Sequence, residues 1–118
     1  MPTSRSDLYA PFDVVVVPYP YTDRLAEKRR PAVIVSAPEL LRKYGLLWLV
    51  MVTSASNPRW DCDVDVSDLQ AAGLPAPSLL RPAKIATADG DRVIRRIGHL
   101  SARDVRGLKS ELKLAMAR

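Results

Sequence analysis

Apolar residues come in short runs along this chain, each closed by proline, glycine or a polar cluster. Asp13-Val14-Val15-Val16-Val17 is a β-branched run and predicts a buried strand. Pro18-Tyr19-Pro20-Tyr21 is expected to end it, because prolines two apart cannot donate to a ladder, and a loop then runs through Glu27. Ala32 to Ser36 predicts a second strand. Pro38 to Tyr44 predicts one or two helical turns, with Pro38 at a first position and Gly45 as the stop. Leu46 to Val52 is the most apolar segment and is read as the central strand, followed by a polar turn from Thr53 to Arg59.

The second half is more broken. Trp60 to Val66 alternates, with Asp61, Asp63 and Asp65 expected on a solvated face and Cys62, Val64 and Val66 on the other. Ser67 is read as the cap of a short helix over Asp68–Ala72, ended by Gly73, with Pro75-Ala76-Pro77 as a rigid connector. Ser78–Arg81 predicts a strand broken at Pro82, and Ala83–Ala88 another. Asp89-Gly90 signals a turn, and Arg92–Ile97 a further strand. Ser101 is an N-cap with Asp104 as a weak capping box. Val105, Leu108, Leu112 and Ala115/Met116 then recur at helical spacing, with Arg103, Arg106, Lys109 and Lys113 facing out. Residues 1–12 read as a loose lead-in. Six or seven short strands, two helical inserts and a terminal helix predict a mainly β fold, a small antiparallel barrel or strongly curled sheet.

With 118 residues and 47% apolar content, this is one domain with a real core. The charge balance changes the picture more. Eighteen Lys and Arg against thirteen Asp and Glu give a net charge of +5, which favours a polyanionic partner, nucleic acid before membrane. One cysteine excludes an internal disulfide, and with one histidine it argues against a zinc site within the chain. Cys62 lies between two aspartates and reads as structural. No apolar run reaches the ~18 residues that span a bilayer, and the first residues lack a signal-peptide pattern, so a cytoplasmic protein is expected.

Candidate chemistry centres on Lys28-Arg29-Arg30-Pro31. Pro31 biases Arg30 towards extended geometry, and an arginine so held suits bidentate contact with phosphate. RNA cleavage by internal attack needs a base for the 2′-hydroxyl, an acid for the 5′-oxygen and cations for the charged phosphorane. With His99 alone, a paired-histidine mechanism in one subunit is excluded, leaving arginine, lysine and hydroxyl groups. Thr53 and Ser54 end the central strand, where side chains can project into a rim site or cap local amides. Arg59 and Trp60 place a cation beside an aromatic, a pair suited to base stacking or to packing on a neighbouring surface.

Five segments, in order, resemble the PemK/MazF-like toxins of bacterial toxin–antitoxin pairs, closer to the PemK branch. They are residues 13–23, the Lys28–Ser36 motif, Met51-Val52-Thr53-Ser54, Ala72–Ser78 and Arg81–Thr87. The resemblance implies a small SH3-like barrel with a C-terminal helix. It implies a homodimer that cleaves single-stranded RNA without metal or cofactor, leaving a 2′,3′-cyclic phosphate and a 5′-hydroxyl. Arg30 and Thr53 are the implied catalytic residues, with Lys28, Arg29, Ser54, Arg59, Trp60, Arg81 and Lys84 as RNA-binding candidates. A guanidinium stays charged, so electrostatic clamping is the safer role for Arg30. The implied partner is an antitoxin with a flexible acidic segment, and the toxin–antitoxin complex is the form in which DNA binding is implied. Departures from the family pattern are Phe12 where glycine usually stands, no glycine between Tyr21 and Lys28, and Arg81 and Lys84 in place of an acidic residue and glutamine. The competing readings are a catalytically inactive RNA- or protein-binding barrel and a gyrase-inhibiting toxin of the same fold.

Overall fold

Strict alternation sorts the valines and leucines onto two faces of a single sheet. In this computed structural model, which describes residues 9–19 and 28–117, the elements are β1 (Asp13–Tyr19), β2 (Lys28–Ile34), α1 (Pro38–Tyr44), β3 (Leu46–Ser54), β4 (Val64–Asp65), α2 (Leu69–Ala72), β5 (Ser78–Asp89), β6 (Arg95–His99) and α3 (Ala102–Ala115). The strands run antiparallel in the order β4-β5-β3-β2-β1-β6. Val14, Val33, Val50 and Val52 face one core with Leu80, Leu100 and Leu108. Val15, Val17, Ala32, Ile34, Leu49 and Met51 face the other with Leu41 and Leu47. The first core is covered by α2 and by Val105, Leu108 and Leu112 of α3, and the second by Leu41 of α1. No helix among the described residues is long and apolar enough to cross a membrane.

The sheet curls because its two edges are bridged. Gly73, at φ 73°, ends α2, and a Cβ there would lie 2.0 Å from the Ile97 carbonyl oxygen. A Cβ on Gly98 would lie 2.3 Å from the Ala72 carbonyl carbon. Backbone therefore meets backbone between α2, which follows edge strand β4, and the opposite edge strand β6. This contact makes the six-stranded sheet barrel-like, as expected.

Several elements differ from the sequence reading. β1 does not stop before Pro18, which stands opposite Arg29 in the β1–β2 register. The Val16 carbonyl accepts Ile94 N–H on the β6 side, and Pro18, two residues on, turns the same way, beyond the last β6 pairing. Its missing donor therefore costs no ladder bond. Pro82 likewise does not break β5. The register passes from Val50↔Ile85 to Met51↔Arg81, so Pro82, Ala83 and Lys84 form a bulge with no partners on β3. The strand expected over Arg92–Ile97 is a 3₁₀ turn at Gly90–Arg92 and then β6.

Alternation over Trp60–Val66 is confined to β4, because a turn closes before it: Asp63 N donates to the Trp60 carbonyl at 3.0 Å. Asp68, not Ser67, caps α2. Ser67 N and Oγ donate instead to the buried Asp104 carboxylate, at 2.9 and 2.8 Å, so Asp104 ties α3 to the segment before α2 and does not complete a capping box. Of the lead-in, residues 1–8 lie outside the described residues, as does 20–27 of the expected loop. Residues 9–12 are fixed: Phe12 N donates to Ile34 O at 2.6 Å and its carbonyl accepts from Leu100 N at 3.1 Å.

Candidate active site

Pro31 opens the site. Its partner Val16 turns its backbone towards β6, so the pair is non-hydrogen-bonded and Pro31 faces β3. Proline has no N–H to give there, and pairing of β2 with β3 begins only at Ala32↔Met51. The two strands separate beyond that point, and the gap is lined by Arg30 from β2 and by Val52 and Thr53 from β3.

Arg30 shares a face with Ala32, and Thr53 with Met51, so alternation puts both on the same side of the sheet. They meet in a cleft of about 190 Å³ with Met51, Val52, Arg81 and Lys84. Arg30 Nε is buried and, among the described residues, has no hydrogen-bond partner. A buried donor on a cation left unsatisfied is costly, and an anionic oxygen is chemically able to satisfy it. Thr53 Oγ1 accepts from Asn57 Nδ2 at 2.7 Å. That bond occupies an oxygen lone pair and leaves the hydroxyl proton free to donate. Asn57 escaped the sequence reading. Its only sequence signal is its place four residues after Thr53 in the same polar turn.

Arg81 reaches the cleft from β5, because the bulge starts just after it and Met51 stands opposite. Most of its donors are already used. Nε and Nη2 donate to the two Asp63 oxygens at 3.0 and 2.7 Å, and Nη2 also to the Pro58 carbonyl at 2.8 Å. Among the described residues Nη1 has no partner. Asp63, expected on a solvated acidic face, has a side chain with 0% exposure. Hydrogen bonds from Arg81 hold its carboxyl below the usual carboxylate range, while burial pulls the other way and the Trp60 amide assists. Asp65 is exposed and pairs with Arg59 at 2.9 Å, so the three aspartates do not share one face.

Trp60 lies under the Arg81 guanidinium at 4.0 Å, with Lys84 Nζ 5.8 Å from its ring centre. Arg59 is occupied by Asp65 and by the Asp63 carbonyl. Arg59 and Trp60 thus stand behind Arg81 and do not line the cleft itself.

Lys28, Arg29 and Ser54 fall in an adjoining groove of about 470 Å³, which Arg30 and Thr53 also line, with Leu74, Pro75, Ala76 and Pro77 as its other wall. Ser54 Oγ accepts from Ser56 N at 3.2 Å, the local capping alternative. His99 is remote from the cleft. Its Nδ1 lies 2.8 Å from the buried Asp13 carboxylate, which also takes Arg96 Nε at 3.0 Å, at the opposite end of β1 from Val17, the partner of Arg30. Cys62 is half-buried.

Residues 10–116 match the family described as PemK-like, MazF-like toxin of type II toxin-antitoxin systems. No curated protein matches the sequence. Similar solved structures include the Mycobacterium tuberculosis toxin MazF-mt6, at 18% identity and TM-score 0.70, covering 87% of this chain and 94% of that one. The MazE–MazF structure from Deinococcus radiodurans has 17% identity and TM-score 0.72, covering 93% and 99%. An endoribonuclease in complex with its cognate antitoxin, from a mycobacterial species, has 16% identity and TM-score 0.71, covering 89% and 91%. At these identities the structural likeness is one of fold.

Proposed function

The chain belongs to the PemK-like, MazF-like toxins of type II toxin–antitoxin systems, and from that premise we propose that it is an endoribonuclease acting on single-stranded RNA in the cytoplasm, without a metal ion. The observation that carries the proposal is the buried Nε of Arg30, unpartnered among the described residues, in a cleft shared with Thr53. The ribose 2′-oxygen attacks phosphorus as it loses its proton, the bond to the 5′-oxygen breaks, and that oxygen takes up a proton. The products are a 2′,3′-cyclic phosphate and a 5′-hydroxyl. Arg30 clamps the phosphate and offsets the charge that grows on its oxygens. The Thr53 hydroxyl, fixed by Asn57, donates to the phosphate or to the 2′-oxygen. Lys28, Arg29 and Lys84 neutralise flanking phosphates, and Arg81 has its Nη1 donors to offer. Ser54 contributes little, since its oxygen is taken by the local turn.

The protein acts as a homodimer in this reading, restrained by an antitoxin whose flexible acidic segment lies along the basic groove. The mycobacterial endoribonuclease solved with its cognate antitoxin supports an antitoxin as partner. The test is incubation of purified protein with single-stranded RNA in EDTA. Cleavage is expected, with ends that a polynucleotide kinase labels without prior phosphatase treatment. Arg30→Ala is expected to lose at least ~100-fold in kcat, the scale of one lost transition-state donor. RNA that binds but stays intact would show a binding module, and inhibited supercoiling with intact RNA a gyrase-directed toxin.

A further inference from the structure

Among the described residues Asp63 is the one buried carboxylate beside the cleft, and it is not part of the cleft lining. Its two oxygens take three hydrogen bonds: Arg81 Nε at 3.0 Å, Arg81 Nη2 at 2.7 Å and the Trp60 backbone N–H at 2.8 Å. One carboxylate therefore fixes both the guanidinium that walls the cleft and the backbone that carries the neighbouring indole. The pair is bidentate and largely shielded, with Arg81 at 11% exposure. The guanidinium lies 4.0 Å from the Trp60 ring centre and covers one face. Trp60 is still 41% exposed, with Lys84 Nζ the second cation near its ring, 5.8 Å from the centre.

We propose that Asp63 is a positioning residue that holds Arg81 and Trp60 as a preformed stacking platform for a nucleobase flanking the scissile phosphate. The inference rests on the ribonuclease reading above and adds to it a base-binding subsite and the residue that builds it. An indole accepts any base on its π-face, and an arginine beneath it strengthens the stack. The free Nη1 donors of Arg81 and the nearby Lys84 ammonium place positive charge where the nucleotide's phosphate would lie. Without the Asp63 carboxylate, Arg81 is left with its bond to the Pro58 carbonyl and the Trp60 N–H loses its acceptor, so the guanidinium and the indole are no longer held by one group. The platform gives affinity next to the reacting bond without touching the reacting atoms, so it acts on substrate and transition state alike.

The test uses the full chain. The sequence holds two tryptophans, so Trp48→Phe leaves Trp60 as the single reporter. The probe is a mixed-sequence 2′-O-methyl oligoribonucleotide of about twelve residues, which lacks the attacking hydroxyl and binds without being cleaved. The expected result is saturable quenching of Trp60 emission. Asp63→Asn in that background is expected to weaken binding about 10-fold, within the range for one base–aromatic stack, and to reduce the quench. On cleavable RNA it is expected to raise KM about 10-fold with kcat within about 2-fold. Trp60→Ala, which leaves the Asp63–Arg81 pair in place, is expected to give the same KM shift, and Trp60→Phe to recover most of it. If Asp63→Asn does not fold, as judged by its thermal transition, the two Trp60 variants decide. No quench at saturation, or an unchanged KM in Trp60→Ala, overturns the platform. Quench without cleavage in EDTA would instead overturn the nuclease reading and leave the platform standing.

Discussion

Two residues carry different costs, one in its side chain and one in its backbone. Arg30 keeps a buried donor without a partner among the described residues, which lowers stability in return for a charge poised in the cleft. Arg30→Met, which removes the donor and keeps the length, is expected to raise unfolding free energy by about 1 kcal/mol while abolishing cleavage. Urea unfolding beside the RNA assay reads both, and a stability loss would mean that Arg30 has a hidden partner. Phe12 carries backbone strain, at φ 70°, a conformation that glycine adopts freely. A left-handed conformation costs a non-glycine residue about 1–2 kcal/mol. Replacing Phe12 by alanine or glycine removes the same ring from the core, but only glycine removes the strain. Phe12→Gly is therefore expected to be more stable than Phe12→Ala by about 1 kcal/mol. Equal melting temperatures would show that the strain is absorbed elsewhere. Asn57→Ala frees the Thr53 oxygen from its donor, and kcat is expected to fall about 10-fold at unchanged KM if that bond orients the hydroxyl.

Elements that depend on local pattern were legible in the sequence, and those that depend on which way a backbone faces were not. The run of valines, the Gly45 and Gly73 stops and the spacing of Val105, Leu108 and Leu112 each specify their element without outside help. Pro18 and Pro82 show that a donor is missing, but not that the strand continues because its neighbour has ended or because a bulge absorbs the gap. The acidic alternation at Asp61, Asp63 and Asp65 misled for a related reason: a turn closing on Trp60 rotates Asp63 inward, where Arg81 waits from a strand eighteen residues away. Arg30 and Thr53 could be picked out one by one, whereas the cleft between them comes from Pro31 facing β3. The α2–β6 contact was invisible as well, since nothing in the sequence says that Gly98 and Gly73 sit on opposing backbones. Gly98→Ala forces a methyl to 2.3 Å from the Ala72 carbonyl carbon, which no rotamer relieves. It is expected to cost more than about 2 kcal/mol, whereas a melting temperature within about 1 °C of the parent would mean that α2 lifts freely and does not bridge the sheet edges.

The net charge of +5 belongs to the whole molecule, but only part of it bears on the cleft. Below neutral pH the Asp63–Arg81 pair controls one part of the balance. The Asp63 pKa is lower folded than unfolded, chiefly through its hydrogen bonds from Arg81, so its contribution is fully present above an unfolded pKa near ~3.9. It is lost as pH falls through the depressed folded value. Asp63→Asn should therefore be less stable than the parent at neutral pH and show a shallower loss of stability below about pH 4. Lys28, Arg29, Arg30 and Lys84 line the cleft and its groove from the strand side. Arg103, Arg106, Lys109 and Lys113 lie on α3, which packs against the other core and so behind the sheet. Single-stranded nucleic acid releases about 0.7 counterion per neutralised phosphate, so four such cations predict a slope of about −3 for log K against log salt. Between 50 and 200 mM salt, affinity for the uncleavable oligonucleotide would then fall roughly 50-fold. Lys84→Ala is expected to flatten the slope by about 0.7, whereas Arg106→Ala leaves it unchanged. Equal slopes for both variants would mean that RNA senses the total charge and does not sit in this cleft, and a slope near zero would remove the electrostatic basis for the groove as an RNA path.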